Sequence, residues 1–174
     1  MNKLKVLFLC TGNSARSILC EYLLRKKAPQ RFASYSAGAA PKDAPHPLTL
    51  EILRANFGVD PSPARSKSWK EFADVHFDFV ITVCDNARES CPIWPGQPII
   101  AHWGAPDPAA FDGPLEAQRR LFLQVAHLMN RRLDLFLNLP LDKLDRLRVQ
   151  IDKATSEIGT DEVFDESASL PEVR

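Results

Sequence analysis

Neither sign of charge is in excess in this chain of 174 residues: 22 lysines and arginines face 22 aspartates and glutamates. A balanced surface offers a polyanion no electrostatic footprint, so nucleic acid drops out as an expected partner. Long apolar runs are missing too. None approaches the ~20 residues that cross a bilayer, which sets membranes aside. Lys3 and Lys5 precede the apolar Val6, Leu7, Phe8 and Leu9, but that run is shorter than the ~7–15 residues of a secretory core. The expected address is cytoplasmic. Cysteine is scarce, at positions 10, 20, 84 and 91. In a reducing compartment these are no standing disulfide framework, and the paired C-x-x-C steps of a zinc site are absent. His46, His76, His102 and His127 are scattered without ligand spacing, so no metal is expected.

What is present suits one globular domain: 45% hydrophobic and 25% charged residues. Residues 5–9 form a short apolar run of good strand formers, read as a buried strand. Residues 14–27 follow as a helix, with Ile18, Leu19, Tyr22 and Leu23 stepping by three and four before Pro29 closes it. Further strands are expected at 32–37, 77–84 and 97–103. Helices are expected at 47–57, 66–75, 114–138 and 141–158, the last one either capping the domain or meeting another subunit. Alternating strands and helices predict an α/β fold of three layers. Its central sheet is four-stranded and mainly parallel, with helices on both faces. The domain spans residues 1–159, and the acidic, serine-bearing residues 160–174 read as a loose tail. In such sheets the binding crevice opens beyond the carboxyl ends of the strands. Cys10, Cys84 and the stretch after Trp103 all fall there.

The segment "CTGNSARS", residues 10–17, carries the chemistry. A loop between a strand and a helix N-terminus aims backbone N–H groups and the positive end of the helix dipole at one point, which suits an anion. Cys10 is the candidate nucleophile, with the loop expected to lower its pKa. Gly12 is expected to supply a positive φ. Arg16 brings a planar fork that matches two oxygens of a tetrahedral oxyanion. Thr11, Gly12, Asn13, Ser14, Ala15, Arg16 and Ser17 form the expected oxyanion cup. Asn13, Ser14 and Ser17 are placed to hold the loop or to hydrogen-bond the sulfur.

This loop resembles the Cys-x5-Arg-Ser phosphate loop of the low-molecular-weight protein tyrosine phosphatase family. The likeness extends through "SAG" at 36–38 and "DPA" at 107–109. Within the family, the branch most similar is that of arsenate reductases working through a chain of cysteines. The segment "VCDNARESCPIWPG" places Cys84 and Cys91 seven positions apart, and it resembles the redox loop of reductases that end on thioredoxin. If residues 85–90 were helical, seven rises of ~1.5 Å would hold the two Cα atoms ~10 Å apart. A disulfide needs them within about 7 Å. Oxidation is therefore expected to unwind residues 85–95.

The resemblance implies a mechanism. Arsenate, which phosphate or sulfate would mimic, sits in the cup. Cys10 attacks arsenic, and Asp107 is the general acid on the leaving oxygen. Cys84 then attacks the Cys10 sulfur to release arsenite, and Cys91 resolves that disulfide for thioredoxin, or glutaredoxin, to reduce. No bound cofactor is expected. Where phosphatases of the family carry an aromatic residue after Asp-Pro, this chain has Ala109 and Ala110, which favours a small inorganic oxyanion. Ala15 stands where many relatives have another cysteine, outside the relay. Some relatives bind potassium through residues matching Asn13, Glu21 and Ser36, and here Lys67 is expected to put an ammonium in its place. Cys20 is expected to be packed and inert. Two alternatives share the cup: a phosphatase of phosphotyrosine or small phosphomonoesters that ignores Cys84 and Cys91, and a non-catalytic oxyanion or redox sensor.

Overall fold

The structure, a computed structural model, describes residues 2–160; the expected loose tail falls outside these apart from Thr160. Its element order is β1 (Leu4–Cys10), α1 (Arg16–Lys27), β2 (Phe32–Gly38), α2 (Pro47–Phe57), β3 (Phe79–Thr82), α3 (Asp85–Glu89), β4 (Ile99–His102), α4 (Leu115–Leu137) and α5 (Leu144–Ile158). The four strands lie in the order β2-β1-β3-β4, and every pairing is parallel. Val6, Leu7, Phe8 and Leu9 are each fully buried, as are Phe79, Val80 and Ile81. A strand buried on alternate sides has both its faces covered, and continuous apolar runs are how parallel strands read in sequence. The expected three layers are present.

The rings of Phe8, Phe79, Trp103 and Phe136 form the centre of the core, Phe136 of α4 lying 5.0 Å from Phe79 and 5.8 Å from Trp103. Helix α5 packs on β4 and α4, and the Trp103 indole donates to the Thr155 carbonyl at 3.0 Å. The last helix thus caps the sheet edge. It does not run unbroken through residues 141–158: Leu141–Lys143 is a 3-10 turn, and Leu147 departs from helical angles. The amphipathic pattern at 66–75 likewise shortens to a 3-10 turn, Trp69–Phe72, capped by the Ser68 hydroxyl.

Strand β1 hands the chain to β2 on one side, and β3 and β4 are laid on the other. The loop after β1 therefore sits at the switch point, where a crevice opens for topological reasons.

Candidate active site

Helix α1 begins at Arg16 with Ala15 at its N-cap, and no side chain caps it. Its first-turn N–H groups are thus left for something else to satisfy. The carbonyls of the loop point away from the cup and are occupied. Ala39 N–H donates to Cys10, Ala40 to Thr11, Lys42 to Gly12 and His46 to Ser14, all at 2.9–3.1 Å. The 39–46 segment is zipped along the outside of the loop, which turns the loop amides inward. Gly38 allows this close approach: a Cβ there would stand 2.4 Å from the Thr11 carbonyl oxygen. The left-handed residue is Asn13, at φ 44°, and not Gly12 as the sequence suggested. Asparagine tolerates that region, and here it is fully buried and bonded at both ends of its amide.

The Asn13 amide organises the nucleophile. Its nitrogen donates to Ser17 Oγ at 2.8 Å and Ser36 Oγ at 2.9 Å, and its oxygen accepts from Lys67 N–H at 2.8 Å. With its oxygen accepting from Asn13, Ser17 has its own hydrogen to give to the Cys10 sulfur, 2.9 Å away. The Asn13 backbone N–H donates to the same sulfur at 3.1 Å. Burial nevertheless pushes the Cys10 thiol up, outweighing Ser17, the Arg16 charge and the Asn13 amide, each of which lowers it. The expected lowering is corrected: in this buried thiol, loss of water outweighs its donors.

Behind Asn13, the Lys67 ammonium stands among Glu21 Oε2 (3.4 Å), Ser36 Oγ (3.3 Å) and the Arg65 carbonyl (2.9 Å), while Ser36 donates to Glu21. Lys67 and Glu21 are both more than nine-tenths buried. Burial pushes Lys67 down, and Glu21 opposes that shift. Of the residues matching a potassium site, Glu21 and Ser36 are therefore already engaged by an ammonium, and the Asn13 amide oxygen is taken by the Lys67 backbone N–H. They do not fit a metal cation. Among the described residues no cluster of three His, Cys, Asp or Glu side chains could hold a metal ion.

The cup opens into a cavity of about 450 Å³ lined by Cys10, Arg16, Lys42, Cys84, Asp85 and Asp107, among others. Arg16 donates to the Ala105 carbonyl at 2.9 Å and pairs with Asp107 at 3.3 Å. The Asp107 carboxylate also accepts from Ala109 N–H at 3.1 Å, capping a 3-10 turn. Cys84 caps α3, its sulfur accepting from Ala87 N–H at 3.4 Å and lying 3.4 Å from the Thr11 hydroxyl. Four of the five expected catalytic residues are thus brought to one cavity. Cys91 is not. Half-buried, it opens on a second cavity of about 360 Å³ with Thr82, Arg88, Ile100 and His102, and burial pushes its thiol up. All four cysteines are thiols. Cys20, fully buried in α1, has its pKa pushed far up by burial. Sequence reasoning missed Lys42, in the stretch between the expected strand 32–37 and helix 47–57, and Ser66, whose hydroxyl donates to the Asn13 carbonyl at 2.7 Å.

A parallel α/β sheet with a cysteine-to-arginine loop at its switch point defines the class of low-molecular-weight phosphatase-like proteins. The chain belongs to the low molecular weight phosphotyrosine protein phosphatase family, whose model matches residues 5–150. It is 33% identical over 138 residues to an arsenate reductase of Oceanobacillus iheyensis, covering 78% of this chain and 96% of that one. It is 32% identical over 133 residues to an arsenate reductase of Bacillus subtilis, covering 75% and 93%. Among solved structures, an arsenate reductase in the phosphate binding state superposes with a TM-score of 0.61 at 27% identity, covering 75% and 97%. The thioredoxin-dependent arsenate reductase of Corynebacterium glutamicum gives 0.55 at 28% identity, and covers 76% of this chain but only 63% of its own.

Proposed function

We propose that this protein reduces arsenate to arsenite through a relay of three thiols, Cys10, Cys84 and Cys91. The observation that carries the reading is one cavity holding two thiols, Cys10 and Cys84, beside Arg16 and Asp107. A phosphatase needs only the first sulfur; a reductase must take two electrons from a pair. Names of relatives at 32–33% identity point the same way.

Arsenate enters the cup and takes both arms of the Arg16 fork, releasing Asp107 from its ion pair. Cys10 sulfur bonds to arsenic as Asp107 protonates the departing oxygen, which leaves as water. Cys84 then attacks the Cys10 sulfur. The sulfur–arsenic bond breaks, its electron pair stays on arsenic, and arsenite leaves as a Cys10–Cys84 disulfide forms. Two thiols are oxidised and arsenic(V) is reduced to arsenic(III). Attack by Cys91 on Cys84 restores the Cys10 thiolate and leaves Cys84–Cys91, which thioredoxin or glutaredoxin reduces by exchange. Because Cys91 lies on another cavity, α3 must unwind for this last step. Among the described residues no helix is long and apolar enough to cross a membrane.

Arsenate-dependent NADPH oxidation, coupled through thioredoxin and its reductase, tests the reading against p-nitrophenyl phosphate hydrolysis by the same protein. Thioredoxin-coupled arsenate turnover is the expected result. Hydrolysis without arsenate turnover would make the protein a phosphatase.

A further inference from the structure

Four charged side chains line the oxyanion cavity: Arg16, Lys42, Asp85 and Asp107. Arg16 is paired with Asp107, and Asp85 with His102. Lys42 has no ion pair among the described residues, so its charge is the one in the cavity wall not already answered by a neighbour. Its position is not incidental. The Lys42 amide donates to the Gly12 carbonyl at 2.9 Å within the 39–46 zipper. Its stem lies flat against Gly12, with Cγ, Cε and Cδ within 3.3–3.7 Å of where a Cβ at residue 12 would stand. Backbone and stem are both anchored on the cup, and the ammonium alone remains to reach a ligand. Among the described residues no aromatic ring lines this cavity.

We propose that Lys42 is the second cation of the cup, a binding residue that draws in and retains a small, doubly charged tetrahedral oxyanion alongside Arg16. The inference rests on the oxyanion reading of the cup. Arg16 answers a single negative charge and shares itself with Asp107; a dianion carries one charge more. A lysine at the rim supplies it and steers the approaching anion, an effect that salt screens. The absence of bulk at Gly12 lets the lysine stem lie close on the cup: a Cβ there would stand 3.3 Å from Lys42 Cγ and crowd it.

The test uses inorganic phosphate as the probe and the full chain as the protein. Alkylation of Cys10 by iodoacetamide is followed by mass spectrometry as phosphate is raised, in the wild type, in Lys42→Met, which keeps the stem, and in Lys42→Arg, which keeps the charge. The half-protecting phosphate concentration should rise roughly tenfold in Lys42→Met and return to within about twofold of wild type in Lys42→Arg. The gap should close as salt goes from ~0.05 M to ~0.5 M. In turnover, Lys42→Met should raise KM for arsenate far more than it lowers kcat. Equal protection in wild type and Lys42→Met, or a gap that persists at high salt, would overturn the inference. Failure of phosphate to protect even the wild-type thiol would instead overturn the oxyanion reading beneath it.

Discussion

The cup around Cys10 and the segment from Cys84 to Gln97 are both thiol sites at strand ends, yet they are built in opposite ways. The cup is bonded from every side. Asn13 alone touches Cys10, Ser17, Ser36, Lys67 and Ser66, and the charge behind it is buried. The segment from Cys84 to Gln97, the redox half of the proposed relay, is held lightly. Helix α3 has five residues, Ile93 is fully exposed, and Asp85 meets His102 at 3.1 Å with its own side chain 86% exposed. Chemistry that must hold a transition state needs the first construction; a sulfur that must cross from one cavity to another needs the second. On the proposed relay, the difference teaches that oxyanion binding and electron delivery are separable.

Substitutions should separate them. The largest effect is expected from Cys10→Ser, which should remove arsenate reduction and p-nitrophenyl phosphate hydrolysis together, each by ~10³-fold or more. Cys84→Ser should abolish steady-state arsenate turnover to the same degree while phosphate still protects Cys10 from alkylation. Loss of that phosphate protection in Cys84→Ser would break the comparison, because the redox half would then be part of the cup.

Next in size is the buried charge behind the cup. Lys67→Met takes one of its two cations from the buried Glu21 carboxylate, which keeps Arg25 at 2.7 Å, and urea unfolding should show a loss of about 1–3 kcal/mol. Adding Glu21→Gln should recover part of it. A double variant no more stable than Lys67→Met would show that the ion pair is not what the fold depends on there.

Most of the fold was legible in the sequence because its strands are short continuous apolar runs, with helical stepping between them and prolines at the ends. The cup was legible too, because an apolar strand, a polar glycine-bearing turn, an arginine and a helix follow one another locally. What escaped depends on distant chain. Asn13 takes the left-handed angle because residues 36 and 67 hold its side-chain amide and Ser66 its carbonyl, and no local signal favours it over the neighbouring glycine. Lys42 sits between prolines, and only the zipper to residues 10–14 reveals that it faces the cavity. The segment 66–75 has helical spacing, but its backbone is used to bond the cup, Gly38 N–H donating to the Lys67 carbonyl at 2.8 Å, and only one 3-10 turn survives. That Cys84 and Cys91 open on different cavities likewise follows from how β4 and α5 pack.

A smaller effect sharpens the comparison at its hinge. Asp85→Asn weakens an exposed pair and should cost under ~1 kcal/mol of stability. On oxidation by arsenate, amide exchange should quicken in residues 85–95 and stay unchanged in residues 10–17. Unchanged exchange in both would mean that α3 does not open.

The central claim is that electrons leave by way of one sulfur handing on to the next. Cys91→Ser protein mixed with excess arsenate, without any reductant, tests it most directly by mass spectrometry and arsenite assay. The account predicts one equivalent of arsenite and a Cys10–Cys84 disulfide, after which the reaction stops. Continued turnover, or arsenite formed with Cys10 and Cys84 still as thiols, would contradict it.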